Sequence, residues 1–327
     1  MDVHNDNVVL VTGATGFIGG HVCERLQAAG HEVRAAVRRP GTLPASLEQV
    51  EVGEIGPATD WAAALDGVDA VVHLASYSPS PQASAAEQEE AYWRVNVEGT
   101  ARLAHAAVAA KVRRFVYLST IKVNGEVTPA DVPFTSDTVP QPQDVYGRSK
   151  WQAEEQLLNV FAGDNGLEVV VLRPPLVYGP GVRGNFLALL RLVDRGLPIP
   201  LAGVRNRRSM LYVKSLADAI AQALSAPRWP ARTYLLCDGE SLSTPDLIRR
   251  LAAQMARPAR LWPVPVPLLR TAAAVMGRQG MIERLTGSLT VDSAPFRGHF
   301  GWSAPFSIDD ALRDTVAWYR AHKDVLA

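Results

Sequence analysis

Cysteine is scarce in this 327-residue chain: Cys23 and Cys237 are the only two. Two are too few for a disulfide framework, and neither lies at zinc-ligand spacing from another Cys or His. The seven histidines are scattered, with no pair at metal-ligand spacing. An excess of charge of either sign is absent as well, since 33 Lys and Arg face 33 Asp and Glu. Bulk electrostatics therefore supports neither a nucleic-acid binder nor a membrane-surface protein, and an anionic partner must be held by local positive charge. No apolar run reaches the ~18 residues that a membrane-crossing helix needs. The first residues, Met1-Asp2-Val3-His4-Asn5-Asp6-Asn7, are acidic where a signal peptide is basic. These absences predict a soluble, cytoplasmic protein with no metal, no nucleic-acid partner and no membrane partner.

The composition itself, 47% hydrophobic and 20% charged, is that of a globular chain. Its length is about twice a ~150-residue domain, which predicts one large domain or a domain with a smaller lobe. Short β-branched runs recur through the first half: Val8-Val9-Leu10-Val11, Val33 to Val37, Val50-Glu51-Val52, Ala70 to Leu74, Phe115 to Leu118 and Val169 to Leu172. They are apolar on both faces, as strands of a parallel sheet covered by helices are. Helical stretches fill the gaps, notably Phe17 to Ala29 (stopped by Gly30), Val95 to Ala110 and Ser149 to Phe161. The alternation predicts a doubly wound α/β sheet. After Pro180 prolines and arginines cluster, while Leu211 to Leu224 and Thr233 to Leu236 read as a further helix and strand that rejoin the sheet. The expected division is a dinucleotide-binding domain over 1–180 plus about 207–237, interleaved with a smaller C-terminal substrate lobe over about 181–206 and 238–327.

Thr12-Gly13-Ala14-Thr15-Gly16-Phe17-Ile18-Gly19 lies between the first strand and the first helix. Gly13 suits a tight turn, Gly16 a pyrophosphate close to the backbone, and Gly19 close helix–strand packing, with free N–H groups at the helix start. The spacing is GxxGxxG rather than GxGxxG, and a glycine-rich turn alone is also a plain structural bend; its place in the chain favours a dinucleotide. An NAD site carries an acid about 20 residues further on. Here Val33-Arg34-Ala35-Ala36-Val37-Arg38-Arg39 has none. Arg38 suits a 2′-phosphate, which points to NADP, with NAD the alternative and a solvated basic loop the plain reading.

Tyr146-Gly147-Arg148-Ser149-Lys150 puts a phenol and an ammonium one helical turn apart. An ammonium beside a phenol lowers its pKa from ~10 and makes it a usable proton donor or acceptor. The motif alone is weak; with the glycine turn upstream it is strong.

Together the segments TGATGFIGG (12–20), VVHLA (71–75), NVEGT (96–100), YLST (117–120), YGRSK (146–150), RPPLVYGPG (173–181), RRSMLYVKSLADAI (207–220) and GWSAPFSIDDAL (301–312) resemble the extended short-chain dehydrogenase/reductases. The branch is the NAD(P)-dependent nucleotide-sugar epimerase/dehydratase/reductase family, and the likeness covers nearly the whole chain. The resemblance implies a Rossmann fold and a catalytic set of Thr120, Tyr146 and Lys150, with Ser119 the neighbouring alternative to Thr120. It places Gly13, Thr15, Gly16, Phe17, Ile18, Gly19, Arg38, Leu74, Ala75, Ser119, Tyr146, Lys150, Pro174 and Val177 against the cofactor. It places Lys122, Asn185 and Arg208 against the substrate, the last two at its diphosphate. His73 is expected near the cofactor without a catalytic role, and Asn96 is expected to stabilise a helix. Within the family, Ser119 to Glu126 and Pro175 to Asn185 resemble bacterial surface-polysaccharide enzymes, a branch that contains C4-reductases of 4-keto-6-deoxy nucleotide sugars, and such a reductase is the first reading. A UDP-sugar 4-epimerase with tightly held NAD is the runner-up, ahead of a reductase of small apolar carbonyls and a dinucleotide sensor without catalysis. One departure is Ser76-Tyr77-Ser78-Pro79-Ser80-Pro81, where the family carries a more basic loop. A homodimer through the two long helices is also implied.

Overall fold

The computed structural model describes residues 8–79, 82–129, 132–161, 166–227, 229, 232–277 and 279–326. Seven parallel strands form the main sheet: β1 (Val8–Thr12), β2 (Glu32–Val37), β3 (Glu48–Glu51), β4 (Ala70–His73), β5 (Arg114–Leu118), β6 (Glu168–Arg173) and β9 (Arg232–Leu235). Their order is β3-β2-β1-β4-β5-β6-β9. A second sheet joins β7 (Leu176–Tyr178), β8 (Arg208–Tyr212) and β10 (Ser241–Leu242), with β8 central, parallel to β7 and antiparallel to β10. The helices in chain order are α1 (Phe17–Ala28), α2 (Ala62–Leu65), α3 (Ala85–Tyr92), α4 (Gly99–Ala109), α5 (Val145–Gln156) and α6 (Gly184–Asp194). They continue with α7 (Val213–Ser225), α8 (Thr244–Gln254), α9 (Val266–Val275), α10 (Gln279–Thr286), α11 (Ala294–Phe300) and α12 (Ile308–Leu326).

The strands read as unbroken apolar runs because both faces of the main sheet are covered. Side chains alternate along a strand. Val9, Val11, Val72, Val116, Val170 and Leu172 thus share one core with α1 and α7. Leu10, Val71, Phe115, Tyr117, Val169 and Val171 share the other with α4 and α5. A third core, with Phe186, Leu190, Met210, Leu247, Leu251 and Leu312 among its members, joins the second sheet to α6, α8 and α12.

The expected α/β architecture is present, with shifts at element ends. The helix expected from Ser149 begins at Val145, because the Asp144 carboxylate accepts from the Gly147 N–H at 2.7 Å and caps it. Tyr146 therefore falls in the first turn. The helix expected from Leu211 begins at Val213, since Leu211 and Tyr212 pair with Val177 and Tyr178 as the end of β8. The helix expected from Val95 starts earlier, as a π-helical turn over Trp93–Glu98 that runs into α4. Such turns commonly accompany functional sites.

Candidate active site

β1 is hydrogen-bonded to both β2 and β4, so the strand order reverses beside it. The crevice beyond the carboxyl ends of strands at such a point is where open α/β sheets bind ligands. A cavity of about 510 Å³ lies there, of the size that takes a small-molecule ligand. Its wall includes Gly13, Gly16, Phe17, Ile18, Gly19, Leu74, Ser119, Thr120, Tyr146, Lys150, Pro174 and Val177. The motifs separated by more than 100 residues of sequence thus meet around one space.

The glycine turn is dictated by contact. Gly13 has φ +70°, and a Cβ there would stand 2.8 Å from the Ala75 nitrogen. A Cβ on Gly19 would stand 2.1 Å from the Gly13 oxygen. Gly16 donates to that same oxygen at 2.9 Å and opens α1 with no side-chain cap. The helix start thus presents backbone N–H groups to the cavity beside a wall stripped of side chains, and this cradle fits a dinucleotide pyrophosphate.

His73 holds the turn from beneath. The Thr12 hydroxyl oxygen accepts from the Leu74 and Ala75 amides, both at 3.2 Å, so its one proton points to His73 Nδ1 at 2.6 Å. That leaves His73 Nε2–H to donate to Thr100 Oγ1 at 2.9 Å. Burial, and then the charge of Lys150, push the imidazole down to about 3. A neutral ring hydrogen-bonded at both nitrogens is a structural group here.

Tyr146 and Lys150 depart from the expectation that the lysine acidifies the phenol. Burial first, then Tyr92 and Asp144, push Tyr146 up to about 12 against the opposing effect of the Thr120 hydroxyl. Lys150 is fully buried, and burial brings it down to about 7 even though Glu154 favours its charge. Its Nζ sits 4.1 Å from the centroid of the Tyr117 ring. The ammonium is spent on that ring and on Glu154, so the desolvation of the phenol prevails.

Ser119 lines the cavity beside Thr120, but its hydroxyl donates to Glu154, whose carboxylate is also held by Arg173 through Nε at 3.0 Å and through Nη2. Arg173 Nη1 donates to Asn124 Oδ1 at 2.9 Å. The Ser119 side chain therefore closes a buried network, and Thr120 supplies the hydroxyl left to the cavity. Asn96, fully buried in the π-helical turn, ties the loop after β4 to α5. Its Oδ1 accepts from the Tyr77 amide at 2.9 Å and the Ser76 hydroxyl at 3.1 Å, and its Nδ2 donates to Ser149 Oγ at 2.9 Å.

The remaining expected residues lie outside the cavity wall. Thr15 and Arg38 are exposed, Arg38 just past the end of β2; Ala75 meets the turn through its backbone. Lys122 Nζ is paired with Asp144, and with Glu126 at 3.2 Å. Asn185 is exposed in the first turn of α6. Arg208 Nη1 donates to the Arg284 and Gly287 carbonyls at 2.8 and 3.0 Å. In the departing loop, Ser76, Tyr77, Ser78 and Pro79 line the cavity, while Ser80 and Pro81 lie outside the described residues. Tyr77 belongs to the loop expected to face the sugar pocket, whereas Tyr92, which also lines the cavity, was not expected at the site. Their rings are 5.0 Å apart, and Tyr92 lies 5.8 Å from Tyr146. The place of Tyr77 just beyond the carboxyl end of a parallel strand is what made it legible, whereas Tyr92, at the end of α3, had no such signal.

The sequence model of the NAD dependent epimerase/dehydratase family matches residues 9–237. A UDP-glucose 4-epimerase of Vibrio cholerae is 36% identical over 310 residues, 94% of each chain. A 2-alkyl-3-oxoalkanoate reductase of Stenotrophomonas maltophilia is 30% identical, over 93% of this chain and 97% of its own. Among solved structures, MoeE5 in complex with UDP-glucose and NAD superposes with a TM-score of 0.74 at 28% identity, over 97% of this chain and 100% of that one. With the glycine cradle, the buried lysine and the sheet order in place, the chain belongs to the NAD-dependent epimerase/dehydratase family of extended short-chain dehydrogenase/reductases.

Proposed function

We propose that the protein is an NADP(H)-dependent oxidoreductase that reduces a 4-keto (6-deoxy) nucleotide sugar at C4. The observation that carries the reading is the end of β2. No carboxylate follows Val37, and Arg38 and Arg39 are exposed there, one strand away from the Gly13 turn. A guanidinium suits a 2′-phosphate where an acid would suit a free ribose hydroxyl. Reductases exchange a cofactor of that kind with each turnover. The Vibrio cholerae relative acts on UDP-glucose and MoeE5 binds it, which supports a nucleotide sugar as substrate.

When bound, the nicotinamide supplies or accepts the hydride. Thr120 donates its hydroxyl proton as a hydrogen bond to the substrate oxygen. Tyr146, protonated up to about pH 12, gives its proton to that oxygen as a general acid. Lys150 would hold the nicotinamide ribose. Asn185 and Arg208 hold the diphosphate, with Lys122 beside the sugar. We assign a homodimer through α4 and α5 on the family likeness.

A UDP-sugar 4-epimerase with permanently held NAD is the second reading, favoured by the Vibrio cholerae relative and by the NAD in the MoeE5 complex. Denaturing the purified protein and identifying the released dinucleotide separates the two. An empty protein that then binds NADPH more tightly than NADH, and consumes it with a ketosugar, is the expected result. Near-stoichiometric NAD overturns it in favour of the epimerase.

A further inference from the structure

The contacts of Lys122 lead to both of the hydroxyls assigned to the substrate oxygen. Lys122 lies in the short 3-10 turn Ile121–Val123, which follows β5 and is capped by Thr120. Its amide donates to Thr120 Oγ1 at 3.3 Å. Its ammonium donates to Asp144 Oδ2 at 2.5 Å. The other oxygen of that carboxylate accepts from the Gly147 amide at 2.7 Å and caps α5, whose first turn holds Tyr146. The backbone closes the same gap. A Cβ on Gly147 would stand 3.1 Å from the Lys122 carbonyl oxygen, so the turn and the start of α5 meet with no side chain between them.

The ion pair is only half-buried. The Lys122 side chain is 31% exposed and that of Asp144 38%, so the pair adds little to stability. It occupies the ammonium all the same, with Glu126 at 3.2 Å as the second partner. Burial opposes the charge on Lys122, but Asp144 and then Glu126 hold its pKa above the ordinary lysine value. What the pair fixes is geometry. A side-chain cap orients the start of a helix, and here the capping carboxylate is itself tied to the turn that carries Thr120. Asp144 is also among the groups that raise Tyr146, after burial and Tyr92. With its counter-ion in place, less of that charge reaches the phenol.

We propose that Lys122 is a positioning residue: through Asp144 it sets where the Tyr146 phenol stands relative to the Thr120 hydroxyl, so that both reach one substrate oxygen. The inference rests on the roles given to Thr120 and Tyr146 above, which the reductase and the epimerase share, and not on the identity of the sugar. Without its ammonium the Asp144 carboxylate is free to turn to solvent, and the first turn of α5 loses its tie to Thr120. A shift of about 1 Å in a catalytic group is enough to cost about 10²-fold in rate.

The test combines hydrogen exchange of the free chain with steady-state kinetics of the reaction the wild type catalyses, NADPH-dependent reduction of a UDP-4-keto-6-deoxyhexose or epimerisation of UDP-glucose. Lys122→Met should lower kcat about 10–100-fold at unchanged KM, and the melting temperature by no more than about 2–4 °C. Lys122→Arg keeps a cation for Asp144 and should recover most of the rate. Asp144→Asn keeps a cap but gives up the ion pair, and should be as slow as Lys122→Met. The double variant should be no slower than either single change. Amide exchange over the first turn of α5 should quicken in Lys122→Met, a readout that needs no substrate. Unchanged exchange there overturns the proposal, as does a raised KM at unchanged kcat, which leaves Lys122 to the sugar alone. Losses that multiply in the double variant overturn it too. Wild-type turnover by Tyr146→Phe sinks the acid–base reading instead, and the exchange result stands apart from it.

Discussion

Tyr146 and Lys150 sit one helical turn apart, and burial moves their proton affinities in opposite senses. Lys150 has about 7 in the folded chain against its ordinary 10.5. Between those two values the unfolded chain binds a proton that the folded chain has released. Stability of the cofactor-free protein therefore rises with pH across that window, and the full cost is present below pH 7. Lys150→Met should remove this slope and stabilise the free chain by about 1–4 kcal/mol at neutral pH, measured by urea unfolding, while turnover is lost. Glu154 is not orphaned by the change, since Arg173 still pairs with it. Tyr146→Phe should cut turnover by about 10²–10⁴-fold and leave dinucleotide affinity unchanged. The neighbouring hydroxyls separate in the same assays. Thr120→Val is expected to lower kcat, with a stability cost of about 0.5–2 kcal/mol because the same oxygen accepts from the Lys122 amide at 3.3 Å. Ser119→Ala should cost about 1–3 kcal/mol of stability with little effect on kcat, because it leaves a buried carboxylate short of a donor. The Tyr-Lys spacing was legible because a helix of 3.6 residues per turn fixes it. The engagement of Ser119 was not, because its partner Glu154 lies 35 positions away in sequence.

At the scale of elements, α1 offers an internal control. Gly19→Ala puts a methyl 2.1 Å from the Gly13 oxygen and should disrupt the turn and abolish dinucleotide binding, whereas a Cβ on Gly20 meets nothing within 4 Å. Gly20→Ala should instead stabilise the helix by about 0.5–1 kcal/mol in thermal unfolding. The glycine motif was readable in the sequence because local sterics demand those residues. The π-helical turn before α4 was not, since its reason is distant: Asn96 must reach both the Tyr77 amide and Ser149. Nor were the strands of the second sheet legible. β7 has three residues and β10 two, too few to show a period, and β8 ends where a helical pattern already begins. The Glu154–Arg173 pair locks the end of β6 to α5 from inside. Arg173→Met strands a buried carboxylate and should cost about 3–5 kcal/mol, whereas Arg173→Met together with Glu154→Met should recover most of it.

For the whole molecule, the cavity lies where the main sheet reverses its strand order, and the cradle at the β1–α1 turn and the Tyr146–Lys150 pair of α5 belong to two separate elements around it. A dinucleotide that spans them ties those elements together in the folded state alone. By mass action, a ligand at 100 times its Kd adds about 2.7 kcal/mol to stability, so a thermal shift reads affinity directly. The NADP reading then becomes quantitative. Removing a guanidinium–phosphate contact costs about 1.4 kcal/mol if it weakens binding tenfold. Arg38→Ser should therefore reduce the stabilisation given by NADPH while leaving that given by NADH intact. Arg38 is exposed, with no ion pair among the described residues, so the substitution carries no stability cost of its own to confuse the comparison. If NADPH and NADH lose stabilisation equally, Arg38 does not read the 2′-phosphate. The end of β2 then no longer speaks for NADP, and the balance moves to the epimerase with its resident NAD.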